Sequence, residues 1–282
     1  MSASRTIVIA FIACAGAAGL TACSTAAHSI DVDFSKRTVI SGQAKLDEGT
    51  DSAVLPLDRY MPSDAEDRTV DYAIDLSLRS CMAGKGFDFK VIDRRQGHST
   101  VGFRLFGVWV LNKAAQYGYN PPPPDQVTQQ LQALNAQTTT PDSQAAYSAC
   151  LDAAAKKFPR VDPVSTLAAQ GAATAFDKTI HDDSAGKKIV ADWRSCMSGH
   201  GIALAKDGLN VDVSNVNDEQ KTKIAVQDVE CKTATNAVQR LADIDASYQT
   251  AIVNQKQAAL NDERTKIDKT LAAAQTYIDQ NG

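Results

Sequence analysis

Apolar residues set out the helices of this chain. Val70, Ile74, Leu78, Cys81 and Met82 recur three and four residues apart behind Ser63-Asp64-Ala65-Glu66. That spacing predicts an amphipathic helix opened by a capping box. Gly84 or Gly86 should end it, because glycine takes the left-handed turn that closes helices. Phe87 to Ile92 then alternates in character and reads as a short strand. Further on, Gln126 to Ala136 suggests a short polar helix, and Thr140-Pro141-Asp142 is a good start for a helix through Ala145 to Phe158. Leu167 to Ile180 and Ile189 to Ser198 read as two more helices, the second placing Trp193 and Met197 on one side. Ile202–Leu204 and Leu209–Val213 flank Lys206-Asp207-Gly208, the pattern of a hairpin. From Asn217-Asp218-Glu219-Gln220 to Ile278 no Gly or Pro occurs, and an apolar stripe runs almost unbroken. This last run predicts one very long helix or a helical hairpin bent near Gln255.

One segment occurs twice. Arg79-Ser80-Cys81-Met82-Ala83-Gly84-Lys85-Gly86-Phe87 returns as Arg194-Ser195-Cys196-Met197-Ser198-Gly199-His200-Gly201-Ile202. Each copy ends a helix and is followed by a further cysteine, Cys150 or Cys231. A duplicated structural unit is implied. The fold expected is mainly α: two helix/short-β/helix repeats, each tied by a disulfide, with the long C-terminal helix or hairpin appended. Residues 63–160 form the first repeat and 161–282 the second plus the long helix, with the boundary at Phe158-Pro159-Arg160-Val161-Asp162-Pro163. The first repeat carries an insertion that the second lacks, rich in aromatic residues, which runs into the extended Pro121 to Pro124.

The address comes from the N-terminus. Arg5, the apolar Ile7 to Cys14 and the small residues before Cys23 read over residues 1–22 as an export signal, too short to span a bilayer. Leu20-Thr21-Ala22-Cys23 looks like a bacterial lipobox, so Cys23 is expected to be acylated and to hang the chain from the extracytoplasmic face of the cell membrane. Residues 23–62, rich in Ser, Thr, Ala and Asp, are expected to be a flexible tether. With Cys14 lost and Cys23 lipidated, Cys81, Cys150, Cys196 and Cys231 remain. An exported chain with four thiols implies two disulfides. Three pairings are possible, and the repeat favours Cys81 with Cys150 and Cys196 with Cys231. Loss of the signal removes only Arg5, leaving 28 basic against 33 acidic side chains. Such a balance argues against nucleic acid as a partner.

The segments Trp193-Arg194-Ser195-Cys196-Met197 with Gly201, Ile224-Ala225-Val226-Gln227-Asp228-Val229-Glu230-Cys231-Lys232 and Ala246-Ser247-Tyr248-Gln249 resemble a group of exported actinobacterial proteins, many of them lipoproteins. In that group W-x-x-C-M-x-x-x-G pairs with A-V-x-D-x-x-C-K ahead of a long helix containing Y-Q. Phe106-Gly107-Val108-Trp109 and Tyr117-Gly118-Tyr119 also look like it, while Leu78 departs by standing where the first copy should carry Trp. The resemblance implies the disulfide unit and an envelope location, and no reaction.

Recognisable chemistry is sparse. His28, His98, His181 and His200 show no H-x-x-x-H spacing, and the thiols are better explained as disulfides, so no metal site is expected. No nucleophile elbow, phosphate-cradling loop or dinucleotide fingerprint is present, so neither enzyme activity nor a cofactor is expected. Asp182-Asp183 reads as a helix cap. The candidate binding residues are Phe103, Phe106, Trp109, Tyr117 and Tyr119, which could stack on sugars or grip an apolar partner if exposed. The expected function is therefore a non-enzymatic, lipid-anchored protein that binds or scaffolds an envelope protein or glycan. The second reading is a small-ligand receptor built on the insertion, residues 87–119.

Overall fold

A computed structural model describes residues 30–99, 102, 104–134, 137–162, 164–206 and 208–282. The signal, Cys23 and the candidate Phe103 lie outside the described residues. The fold is mainly helical, as the apolar spacing predicts. Its elements are a strand pair β1 (Lys45–Asp47) and β2 (Ser52–Val54), then α1 (Asp64–Gly84), α2 (Leu111–Tyr117), α3 (Gln126–Ala133), α4 (Pro141–Lys157), α5 (Leu167–Asp177), α6 (Ser184–Gly199), α7 (Asp218–Ala234) and α8 (Ala237–Asn281).

The helix starts follow local chemistry. Ser63, Thr140 and Asn217 each form a reciprocal capping box, at the heads of α1, α4 and α7. Asp183 caps α6 by accepting from the amides of Ala185 and Gly186, both at 2.9 Å. Between α5 and α6 the chain winds into one π-type turn, Lys178–Asp182, tight enough that the Thr179 carbonyl lies over Gly186, where no Cβ could fit.

The long C-terminal run contains the expected long helix, α8, preceded by α7. It breaks at Asn236, a left-handed residue between α7 and α8, and bends again at Lys256, one residue past the expected place. Asn tolerates that conformation better than most side chains, and no glycine was needed to mark the turn. α8 is the spine of the molecule. Its first half packs against α5 and α6, and its second half lies along α1.

Residues 30–62 are not the flexible tether that their composition suggests. Leu57 and Tyr60 are buried in the main core, and polar residues of α8 satisfy the backbone of the segment. Asp243 accepts from Gly42 and Ala44, Gln249 from Leu57, and Gln255 both accepts from and donates to Asp33. Arg37 stacks 4.0 Å from the Tyr248 ring and pairs with Asp183. A polar segment is thus ordered by a helix whose own polar residues are buried, including Asp243 and Gln249. No periodicity within residues 30–62 announces this, because the partners lie about two hundred positions away.

The duplicated segment has one backbone shape in both copies. Lys85, Gly86 and Phe87 donate to Met82, Ala83 and Met82, just as His200, Gly201 and Ile202 donate to Met197, Ser198 and Met197. Gly86 and Gly201 have φ values of 84° and 71°, where a side chain would be strained. Disulfides join Cys81 to Cys150 and Cys196 to Cys231, each with a Cα separation of 5.8 Å, tying α1 to α4 and α6 to α7.

The β elements of the repeats are weaker than expected. In the second copy only Leu204 and Val211 bridge, supported by hydrogen bonds from Ala205 to Asn210 and from Asp212 to Ala203. In the first copy Phe87 to Ile92 forms no strand. There the side-chain amide of Gln137 takes the place of a neighbouring strand, accepting from Lys90 N at 2.7 Å and donating to Lys90 O at 3.2 Å.

Candidate functional site

Four of the resemblance segments, those holding Trp193, Asp228 with Lys232, Val108 and Tyr119, meet at one buried polar centre. Trp193, fully buried on α6, donates from Nε1 to Asp228 Oδ1 on α7 at 2.8 Å. One turn later Lys232 donates to Asp228 Oδ2 at 3.0 Å and to the Val108 carbonyl at 2.8 Å. Tyr119 donates to the same carboxylate at 3.3 Å. Burial pulls the Lys232 ammonium below its usual range, and Asp228 opposes that pull. Burial beside the Asp228 charge pushes the Tyr119 phenol up, so that group keeps its proton at neutral pH. The D-x-x-C-K pattern therefore places a carboxylate, a sulfur and an ammonium along one buried face of α7.

A second charged pair stands beside this centre. Asp51, in the turn between β1 and β2, is fully buried and accepts from Trp109 N at 3.3 Å. Arg104 Nε stands 2.8 Å from Asp51 Oδ2, but its N–H is not aimed at the oxygen. Burial raises the Asp51 carboxyl, with Arg104 pulling the other way.

These contacts decide what the aromatic insertion does. It leaves the first repeat and straps itself onto the second, with Val108 and Ala114 packed on Ala225 and Val229 of α7. Phe106 is buried in the main core, 6.1 Å from the Phe176 ring. Trp109 is half-buried against the same core, and Tyr119 reaches the polar centre. Tyr117 ends α2 half-buried. Phe106, Trp109 and Tyr119 are thus engaged in packing, and the four described candidates do not form one exposed face. Their aromatic character is used to join the two repeats.

The concave surface lies elsewhere, along α1. A groove of about 560 Å³ is lined by Asp64, Asp67, Asp71 and Asp75 of α1, by residues 89–94 and by α3 with its following loop. A neighbouring groove of about 590 Å³ shares Asp71, Asp75, Arg94 and Tyr147 with it and continues over Leu78, Leu151 and Phe158. The four carboxylates recur at helical spacing and share one face. Arginines hold them: Arg68 bonds Asp64 at 2.9 Å, Arg94 bonds Asp75 at 2.5 Å, and Arg160 bonds Asp71 at 2.5 Å. Burial raises Asp67 and Asp75 above the usual carboxylate range, against the pull of Arg160 and Arg94 respectively. Burial works the same way on Asp64, but hydrogen bonds from Arg68 and Ser99 outweigh it and hold that group low. Phe89 and Tyr147 form a ring pair 5.8 Å apart on the wall. A third cavity, about 450 Å³ and more apolar, opens between Val70, Pro159, Val161, Ile267 and Leu271.

No protein-family model, curated protein or solved structure matches the chain. The likeness to exported actinobacterial proteins rests on the sequence segments alone.

Sequence reasoning missed the groove, although one signal was present. Asp64, Asp67, Asp71 and Asp75 are spaced three, four and four apart on a helix whose apolar face was already assigned. What the sequence lacked was the far wall, supplied by Arg94, Tyr147 and Arg160 from three later segments. Among the described histidines, His98, His181 and His200 are exposed and none lines either large groove.

Proposed function

We propose that this chain is a non-enzymatic, lipid-anchored protein of the cell envelope that binds an envelope partner in the groove along α1. The observation that carries this reading is the composition of the groove. It combines fixed Asp–Arg pairs with the Phe89–Tyr147 ring pair, and among the described residues no His, Ser or Cys lines it. Paired carboxylates and guanidinium groups offer oriented acceptors and donors, and aromatic faces cover apolar area at small entropic cost. Such a wall suits a hydroxyl- or amide-rich surface, a glycan or the polar face of an envelope protein.

The two disulfides support an oxidising, extracytoplasmic location. The lipobox at Cys23 supplies the anchor. No described helix is long and apolar enough to cross a membrane. Labelled palmitate should be incorporated into the wild-type chain and not into Cys23→Ser; equal labelling of both would dismiss the lipid anchor at Cys23. For the groove, a photo-crosslinking residue in place of Gln132 should capture an envelope component in cells, and adding Tyr147→Ala should abolish the adduct. Adducts formed from Leu111 on the strap, with none from Gln132, would move the binding face back to the insertion.

A further inference from the structure

The two disulfides differ in their surroundings. Superposing the repeats by sequence puts Lys85 where the second copy has His200, and Leu78, Tyr147 and Leu151 where it has Trp193, Asp228 and Lys232. Only the second copy therefore has an imidazole beside its disulfide. The Sγ atoms of Cys196 and Cys231 and a ring nitrogen of His200 lie within 4.8 Å of one another. Cys196 and His200 are four residues apart at the end of α6, so they share a face, and Cys231 comes from α7.

Only the second copy has a noncovalent latch as well. The Trp193–Asp228 hydrogen bond joins α6 to α7 one turn before the cysteines on both helices, and the Asp228–Lys232 pair brackets Cys231. In the first copy the matching positions are Leu78, Tyr147 and the exposed Leu151, which supply no polar tie. If the second disulfide opens, α6 and α7 keep their alignment. Reductant has a way in, since Cys196 is half-buried and His200 exposed, whereas Cys231 is sealed.

We propose that the Cys196–Cys231 disulfide closes a latent metal site, and that its reduction lets both thiolates and the His200 imidazole bind a thiophilic divalent cation such as Zn²⁺. Tetrahedral zinc takes sulfur at about 2.3 Å and imidazole nitrogen at about 2.0 Å, with three protein ligands and one water as a common set. Rotation of the two cysteine side chains apart after S–S cleavage would reach that geometry without moving the helices. The chemistry balances with a water-soluble phosphine as reductant. Phosphorus attacks Cys196 Sγ, Cys231 leaves as thiolate, and water converts the phosphonium adduct to phosphine oxide and a second thiol. Binding of the cation then releases the thiol protons, and neutral His200 donates its lone pair.

The test uses the full chain, oxidised or phosphine-reduced, with excess phosphine removed, titrated with Co²⁺ under argon. The reduced chain should gain one equivalent of Co²⁺ with thiolate charge-transfer and tetrahedral d–d bands, displaced by Zn²⁺, and the oxidised chain should gain none. His200→Lys, which copies the first repeat at an exposed position, should weaken Co²⁺ at least 10-fold, and Cys196→Ser should abolish the charge-transfer band. Absence of the band in the reduced chain, an unchanged affinity in His200→Lys, or a band that survives Cys196→Ser would overturn the proposal. So would loss of the helical circular dichroism on reduction, since the latch must hold α6 and α7 together.

Discussion

Replacing Asp245 by Asn removes a carboxylate that the fold keeps from water. Asp245 is fully buried on α8; one oxygen accepts from Gln249 at 2.8 Å, and the other finds no partner among the described residues. Burial, opposed by Gln249 and reinforced by the Asp58 carboxylate, pushes its pKa from 3.8 to about 7. A carboxyl whose folded pKa lies above its unfolded value binds more protons in the native state over that interval. Stability therefore falls as pH rises from about 4 to about 7, and the full penalty persists above it. Three pKa units at about 1.4 kcal/mol each set the upper scale near 4 kcal/mol. At pH 5 part of this penalty is already present, so about 2–3 kcal/mol remains to develop between pH 5 and pH 8.

Asn keeps the acceptor for Gln249 and carries no charge. Its amide hydrogens take the unpartnered place at a cost of about 1–3 kcal/mol, which does not vary with pH and so cancels from the comparison. Urea unfolding followed by circular dichroism at pH 5 and pH 8, disulfides intact, should show the stability difference moving toward D245N by about 2–3 kcal/mol. A difference that stays constant across that range would refute the reasoning, whatever its sign.

The other expectations concern the buried centre, the spine and the staples. Lys232→Ala removes the ammonium that pairs with the buried Asp228 and should cost about 3–5 kcal/mol by urea unfolding, while Lys232→Met combined with Asp228→Leu should recover part of the loss. Arg264 and the Ser63 cap hold the Glu66 carboxyl down at about 2, so its stabilising contribution is lost as pH falls below the ordinary 4.5. Glu66→Gln should therefore lower the thermal midpoint at pH 6 and leave it unchanged near pH 2. Gly186→Ala would set a Cβ 1.8 Å from the Thr179 carbonyl, and it should abolish native-like helicity or force the π-type turn apart, visible as loss of amide-exchange protection in α6. Removing the Cys81–Cys150 bridge, which closes a separation of 69 residues, should cost about 4 kcal/mol by chemical denaturation.

Much of the secondary structure was legible because it depends on neighbours in sequence. The caps at Ser63, Thr140 and Asn217 and the glycine stops at Gly86 and Gly201 are local events, settled within one helical turn. So was the disulfide pattern, since a repeated segment makes its own pairing argument. The α7–α8 break was less legible. Asn236 adopts a conformation that Asn permits without requiring, and the apolar stripe continues across it. The insertion was misplaced for a different reason. Aromatic rings in a loop look alike whether they await a partner or already have one, and α7, to which they are strapped, begins about a hundred positions later.

By itself the sequence determined which stretches coil, where they stop and which cysteines belong together, since each depends on spacing over a few residues or on duplication. Tertiary structure alone decided that residues 30–62 join the core, that the aromatic strap binds repeat to repeat, and that four aspartates become the floor of a groove. Each of these needs a partner supplied from far along the chain. Burial that depends on such a partner leaves no period in the segment that is buried.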